Sequence, residues 1–162
     1  MDADSKDPSL KELQGHIWEE GYRSGALRGE VFADVAPALD RWQREGVSVG
    51  VFSSGSVLAQ RLLFRHSTAG DLTRFITWHF DTAVGAKIEA ASYARIANSM
   101  AVPPPSITFV SDVVRELDAA AAAGLRTALS VRPGNPAQPA GHRHPAVQTF
   151  DGLLPGIPGT IR

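Results

Sequence analysis

Five residues in this 162-residue chain have the types and surroundings for chemistry on a phosphate: Ser53, Ser54, Lys87, Asp112 and Glu116. Ser53-Ser54-Gly55-Ser56 ends an apolar run over 47–52 and precedes a helical pattern over 57–66. A strand that delivers small hydroxyl residues to a helix N-terminus makes an anion site, because free N–H groups and the helix dipole both favour negative charge there. Small side chains also let a phosphate approach the backbone closely. The same string is equally compatible with an ordinary strand-to-helix turn capped by serine. Lys87, in Val-Gly-Ala-Lys-Ile-Glu, stands before a helical segment, where an ammonium acts on phosphate as a point charge or simply solvates a surface. Asp112 follows the apolar run 107–110, and Glu116 lies four residues on, one turn away if a helix begins at once. Carboxylates beside a phosphate suit Mg²⁺, which takes hard oxygen ligands and shares them with substrate and water. The competing reading makes Asp112 an N-cap and Glu116 its partner.

These residues need elements to place them. Ser9 is a candidate cap for a helix carrying Leu10, Leu13, Ile17 and Tyr22 near one face, with Gly25 and Gly29 loosening its end. Phe32, Val35, Leu39 and Trp42 recur at three- and four-residue steps, which predicts a second amphipathic helix with Gly46 as a left-handed cap. A strand over 47–52, a helix over 57–66 and a short strand near 79–82 follow. A helix over 89–100 is predicted to turn Ala90, Tyr93, Ile96 or Ala97, and Met100 inward. Three prolines, 103–105, lead into a strand over 107–111, then a helix over 113–123 stopped by Gly124, then a strand over 126–131. The alanine run 119–123 is expected to mark close helix packing, and the Pro- and Gly-rich stretch beyond 132 a loop. Strands alternating with helices imply right-handed parallel βαβ units. The fold class is therefore α/β, a Rossmann-like doubly wound parallel sheet. Ligands gather at the carboxyl ends of such strands. Here those ends carry Ser53–Ser54, Ser111–Asp112 and Arg132, so one sheet edge would collect the hydroxyl turn, the lysine and the aspartate.

Composition narrows the partners. A formal net charge of −1 argues against a nucleic-acid surface or an anionic membrane, and no apolar run is long enough to span a bilayer. Cysteine is absent, which removes disulfides and thiolate chemistry and fits a cytoplasmic setting. His142 and His144, flanking Arg143 in the proline-rich loop, are expected to be solvated. His16, His66 and His79 are expected on helix faces or core edges, and Trp18, Trp42 and Trp78 as packing residues.

The order strand-Ser-Ser-Gly, Lys, strand-Ser-Asp-x-x-x-Glu resembles the haloacid dehalogenase superfamily of aspartate-nucleophile phosphatases. Longer strings are more specific: Leu-Gln-Gly-His-Ile-Trp (13–18), Val-Phe-Ala-Asp-Val (31–35), Ser-Ser-Gly-Ser-Val (53–57), Leu-Leu-Phe-x-His-Ser-Thr-x-Gly-Asp (62–71), His-Phe-Asp-Thr (79–82) and Val-Arg-Pro-Gly-Asn (131–135). They look like the acireductone synthase family within that superfamily, over roughly residues 10–135. The resemblance implies a haloacid dehalogenase-like core and a phosphate-ester substrate. It further implies enolisation followed by Mg²⁺-dependent dephosphorylation in methionine salvage, by a cytoplasmic monomer. It implies that Ser53 and Ser54 hold substrate, that Lys87 steadies the phosphoryl group and that Asp112 binds the metal. Glu116 would orient Lys87 or act on the metal shell indirectly.

One part of the family pattern has no counterpart. Its opening strand, ending Asp-x-Glu-Gly-Thr, supplies the nucleophile and two metal ligands, and no such string occurs in this sequence. Asp2 and Asp4 follow no apolar strand. Residues 1–31 are expected to be the remnant of a helical cap, and 32–162 a core lacking its first, central strand. That strand belongs between those ending at Ser53 and Ser111, so two strand edges are expected to lack a partner. Hydroxyls and a lysine alone leave water unactivated. The chain is therefore expected to be incomplete as an enzyme, with a non-catalytic phosphate-binding module as the competing reading.

Overall fold

The computed structural model describes residues 18–135, 137, 139 and 141–153. It divides into two compact units, one up to Ala83 and one from Val84 onward.

In the first unit a helix with described part 18–23 (α1) is followed by α2 (Val35–Arg44), β1 (Val49–Phe52), α3 (Val57–Arg65) and β2 (Ile76–Phe80). Strands β1 and β2 pair in parallel, with Phe52 opposite Phe80, and Ser53 N–H extends the ladder to the Phe80 carbonyl at 3.1 Å. The core is built from Tyr22, Leu39, Trp42, Leu62, Leu72 and Phe75, all buried. Tyr22 stacks on His66 at 5.6 Å between ring centroids. Gly29 lies against the chain after α3: its N–H donates to the His66 carbonyl, and a Cβ there would sit 2.2 Å from the Leu63 carbonyl oxygen. Only glycine fits that approach.

The second unit runs α4 (Ala90–Met100), β3 (Thr108–Ser111), α5 (Val114–Ala122), β4 (Arg126–Ser130) and β5 (Ala146–Val147). All three strands are parallel, in the order β3-β4-β5. Helix α5 packs on β3, β4 and α4, and buries Leu117, Ala119 and Ala120. Tyr93 of α4 meets Phe109 of β3 edge-on at 4.9 Å. Gly124, with φ 87°, stops the helix as expected.

The described strands form two parallel sheets, one of two strands and one of three. Among the described residues no strand pairs with the second edge of β1 or of β3. No residue of β3 is fully buried, whereas Ala128 and Leu129 of β4 are. The apolar Phe109 and Val110 are thus only partly covered. No helix among the described residues is long and apolar enough to cross a membrane.

Several expectations need correction. Strand β2 occupies Ile76–Phe80 rather than 79–82, because Thr73–Phe75 forms a 3-10 turn that feeds directly into it, and Thr82–Val84 forms another. Phe32 precedes α2 and is exposed, so the buried stripe of that helix is Ala38, Leu39 and Trp42. Trp18 is 42% exposed and packs at the surface, its ring 6.3 Å from that of Tyr22, rather than in the core. Of the alanine run, Ala119 and Ala120 are buried while Ala121 and Ala122 face solvent. His144 is buried, not solvated: its Nε2 lies 3.0 Å from an Asp118 carboxylate oxygen and its Nδ1 2.8 Å from the Thr127 hydroxyl. Strand β5 lies in the stretch expected to be loop. Ser9, Asp2, Asp4, His16 and residues 9–17 lie outside the described residues.

Candidate active site

Lys87 reaches its place through a loop that α4 holds by three carbonyls. Tyr93 OH donates to the Lys87 carbonyl at 2.6 Å, Ser92 Oγ to that of Ala86 at 2.8 Å, and Arg95 Nη1 to that of Val84 at 2.8 Å. Gly85 has φ 131°, and a Cβ there would meet Ser92 Oγ at 2.3 Å. The loop therefore cannot take this path with a side chain at 85. Burial, then the nearby Glu116 charge, push the Tyr93 phenol far above its ordinary range, so its hydroxyl stays protonated and able to donate.

At the tip of the loop Lys87 Nζ donates to Glu116 Oε1 at 2.8 Å, and the two side chains are only 23% and 11% exposed. The other Glu116 oxygen, Oε2, accepts from Ser111 Oγ at 2.8 Å. Ser111 is the last residue of β3, and its Oγ also accepts from Val113 N–H at 3.1 Å. The helix begins at Val114 with Val113 in the capping position and no side-chain cap, so Asp112 is not an N-cap. Both Glu116 oxygens are occupied by donors. One of those donors is the Lys87 ammonium, so the carboxylate and the ammonium hold each other.

Asp112 stands one residue past β3. Its Oδ2 accepts from Asn135 Nδ2 at 2.8 Å, and it makes no other hydrogen bond among the described residues. No group of three His, Cys, Asp or Glu side chains suited to a metal occurs among the described residues. One carboxylate with an uncommitted oxygen fits Mg²⁺ that keeps water and shares a substrate phosphate, and does not fit an all-protein cage. Arg132, two residues beyond β4, is buried with its guanidinium 4.7 Å from the centre of the Phe150 ring.

In the first unit Ser53 and Ser54 follow β1 as expected, but Ser56 is the residue that caps α3, accepting from Ala59 N–H at 3.2 Å. Ser53 Oγ accepts from Gly55 N–H at 3.1 Å, which folds the turn on itself. Ser54 is exposed. The turn is fastened by buried Gln60, whose Nε2 donates to the carbonyls of Gly55 (3.0 Å) and Phe80 (2.8 Å). Gln60 Oε1 is an acceptor only, so His79 Nδ1–H donates to it at 3.2 Å. Burial, with Arg61 nearby, lowers the His79 pKa below its ordinary value. Gln60 was not singled out in the sequence, and Tyr93 and Asn135 were read only as a core residue and as part of a family string. Each acts on a backbone or side-chain atom that only the folded chain brings near.

Comparison with known proteins gives the family. The family signature described as haloacid dehalogenase-like hydrolase matches residues 3–124. Enolase-phosphatase E1 of Sorangium cellulosum is 54% identical over 155 residues, covering 96% of this chain and 66% of that protein. Enolase-phosphatase E1 of Synechococcus elongatus is 54% identical over 135 residues, covering 83% of this chain and 57% of that protein. The chain thus spans less than two thirds of either relative. The crystal structure of the UTR4 protein of Saccharomyces cerevisiae superposes with a TM-score of 0.83 at 40% identity, covering 93% of this chain and 69% of that one. The chain belongs to the haloacid dehalogenase-like hydrolases, in the company of enolase-phosphatase E1.

Proposed function

We propose that this chain carries the phosphate- and metal-handling part of an acireductone synthase. That enzyme is an enolase-phosphatase acting on 2,3-diketo-5-methylthiopentyl-1-phosphate in L-methionine salvage, by enolisation and then Mg²⁺-dependent dephosphorylation. The observation that supports this reading best is the fixed ammonium. Lys87 is held by Glu116, Glu116 by Ser111, and Asp112 follows Ser111 at the end of the same strand. Phosphoryl transfer is chiefly positioning and charge neutralisation, which such a set supplies. Lys87 neutralises the phosphoryl oxygens, Glu116 holds it in place, and Asp112 is the residue that would hold Mg²⁺. Ser53 and Ser54 bind substrate with hydroxyl and amide donors. Bound Mg²⁺ would supply further charge neutralisation on the phosphate. The nucleophilic carboxylate is assigned to none of the described residues. Residues 1–31 are proposed as part of a helical cap and 32–162 as the core. The working state is proposed to be a cytoplasmic monomer with no nucleic-acid or membrane partner.

The test is Mg²⁺-dependent release of phosphate from that substrate, with Lys87→Ala alongside. In any form of the enzyme that releases phosphate, Lys87→Ala is expected to lower the rate about 10²–10³-fold. Saturable phosphate binding without release would instead mark a non-catalytic phosphate-binding module. Release that Lys87→Ala leaves unchanged would overturn the assignment.

A further inference from the structure

We propose that Asn135 is a positioning residue for Asp112, fixing which carboxylate oxygen is presented to a divalent cation. The inference rests on the reading of Asp112 as the metal ligand. Asn135 closes a turn with Arg132: its backbone N–H donates to the Arg132 carbonyl at 3.0 Å, and its Oδ1 accepts from Arg132 N–H at 2.7 Å. Gly134, with φ 90°, allows the tight path between them. Because Oδ1 is held by a backbone N–H, the amide has one orientation. A flip would set donor against donor at Arg132 and acceptor against carboxylate at Asp112. The NH₂ end therefore faces Asp112 and donates to Oδ2 at 2.8 Å, across 23 residues of chain. That bond commits Oδ2 and leaves Oδ1 without a hydrogen bond among the described residues.

A ligating carboxylate works best when a second group has already chosen its rotamer, since its freedom then need not be lost on binding. Asn135 is the one described residue that does this for Asp112. It belongs to the Val-Arg-Pro-Gly-Asn string, whose composition otherwise reads as a plain turn. Both ends of its amide are in use, one building the turn and one steering the acid.

The experiment is a Mn²⁺ titration of the 162-residue chain followed by electron paramagnetic resonance of the free ion, with Asn135→Ala, Asn135→Ser and Asp112→Asn compared at a temperature where circular dichroism shows each folded. The unmodified chain is expected to bind Mn²⁺, Asp112→Asn to lose binding, and both Asn135 variants to bind about 10–100-fold more weakly. A role confined to the turn would lower thermal stability without metal and leave the Mn²⁺ affinity unchanged. If an Asn135 variant fails to fold, the side-chain NH₂ resonances of Asn135 in the unmodified chain serve instead. They are expected to shift on Mg²⁺ addition, and their indifference would overturn the proposal. Wild-type affinity in Asn135→Ala, with binding lost in Asp112→Asn, would sink the Asn135 role alone and leave Asp112 standing. Absence of binding by the unmodified chain, or binding that survives Asp112→Asn, would overturn the reading of Asp112 and this inference with it.

Discussion

The ends of β1 and β3 pose the same design problem and are solved differently. After β3 the polar groups are held by charge: an ammonium on a carboxylate oxygen, a hydroxyl on the other, and an amide on the neighbouring aspartate. After β1 no charged side chain takes part. The turn is held by the Ser56 cap, the Ser53 hydroxyl and the Gln60 NH₂, all bonded to backbone. A charged network fixes where a formal charge sits and suffers heavily when one partner is lost. A backbone-bonded turn fixes where N–H groups point and degrades in smaller steps. The first arrangement fixes a formal charge, and the second fixes the direction of backbone donors.

This contrast can be broken by mutation. The largest effect is expected for Lys87→Ala, a loss of about 2.7–4 kcal/mol of transition-state stabilisation in steady-state phosphate release by a form that carries the nucleophile. An equal loss from Ser54→Ala would erase the distinction between the two strand ends. Next is Glu116→Ala, which leaves the Lys87 ammonium without its carboxylate. Allowing for the 23% exposure of the lysine, a fall of about 2 kcal/mol in unfolding free energy by urea titration is expected. Gln60→Ala removes donors from two carbonyls and should cost about 1–3 kcal/mol by the same measurement. Ser56→Ala, a lone cap, should cost about 1 kcal/mol. The smallest effect concerns pH. Burial lowers the folded-state pKa of His79, so the folded state resists its protonation. The resulting stability is complete above the unfolded value of about 6.5 and is lost as pH falls from there through the folded pKa. His79→Gln should flatten that part of the stability–pH curve, and an unchanged curve would show that His79 does not titrate differently on folding.

What could be read beforehand follows from how local each signal is. The strands and helices that carry the site announced themselves through apolar runs, 3.6-residue periodicity and glycine stops, so Ser53, Ser111, Asp112 and Glu116 were legible as strand-end or first-turn residues. The lack of an Asp-x-Glu-Gly-Thr string was legible too, and among the described residues β1 and β3 each keep one edge without a paired strand. Strand β2 was displaced because Phe75 and Ile76 enter it from a 3-10 turn, which has no distinctive composition. His144 was misjudged because one buried imidazole in a proline-rich stretch breaks no periodic pattern; its partners, Thr127 and Asp118, lie 17 and 26 residues away. The roles of Gln60 and Asn135 were hidden for the same reason. An amide's worth depends on which carbonyl, N–H or acid the fold sets opposite it.

The three carbonyl bonds from α4 to residues 84–87 carry a consequence for proteolysis. The Lys87–Ile88 peptide bond lies outside any helix or strand, and Ile88 is 52% exposed, so it looks like an open target for trypsin. A protease needs several residues drawn out into an extended segment, and here that means detaching Ser92, Tyr93 and Arg95 and pulling the ammonium from Glu116. Cleavage at Lys87 should therefore keep pace with the unravelling of α4 rather than with ordinary loop breathing.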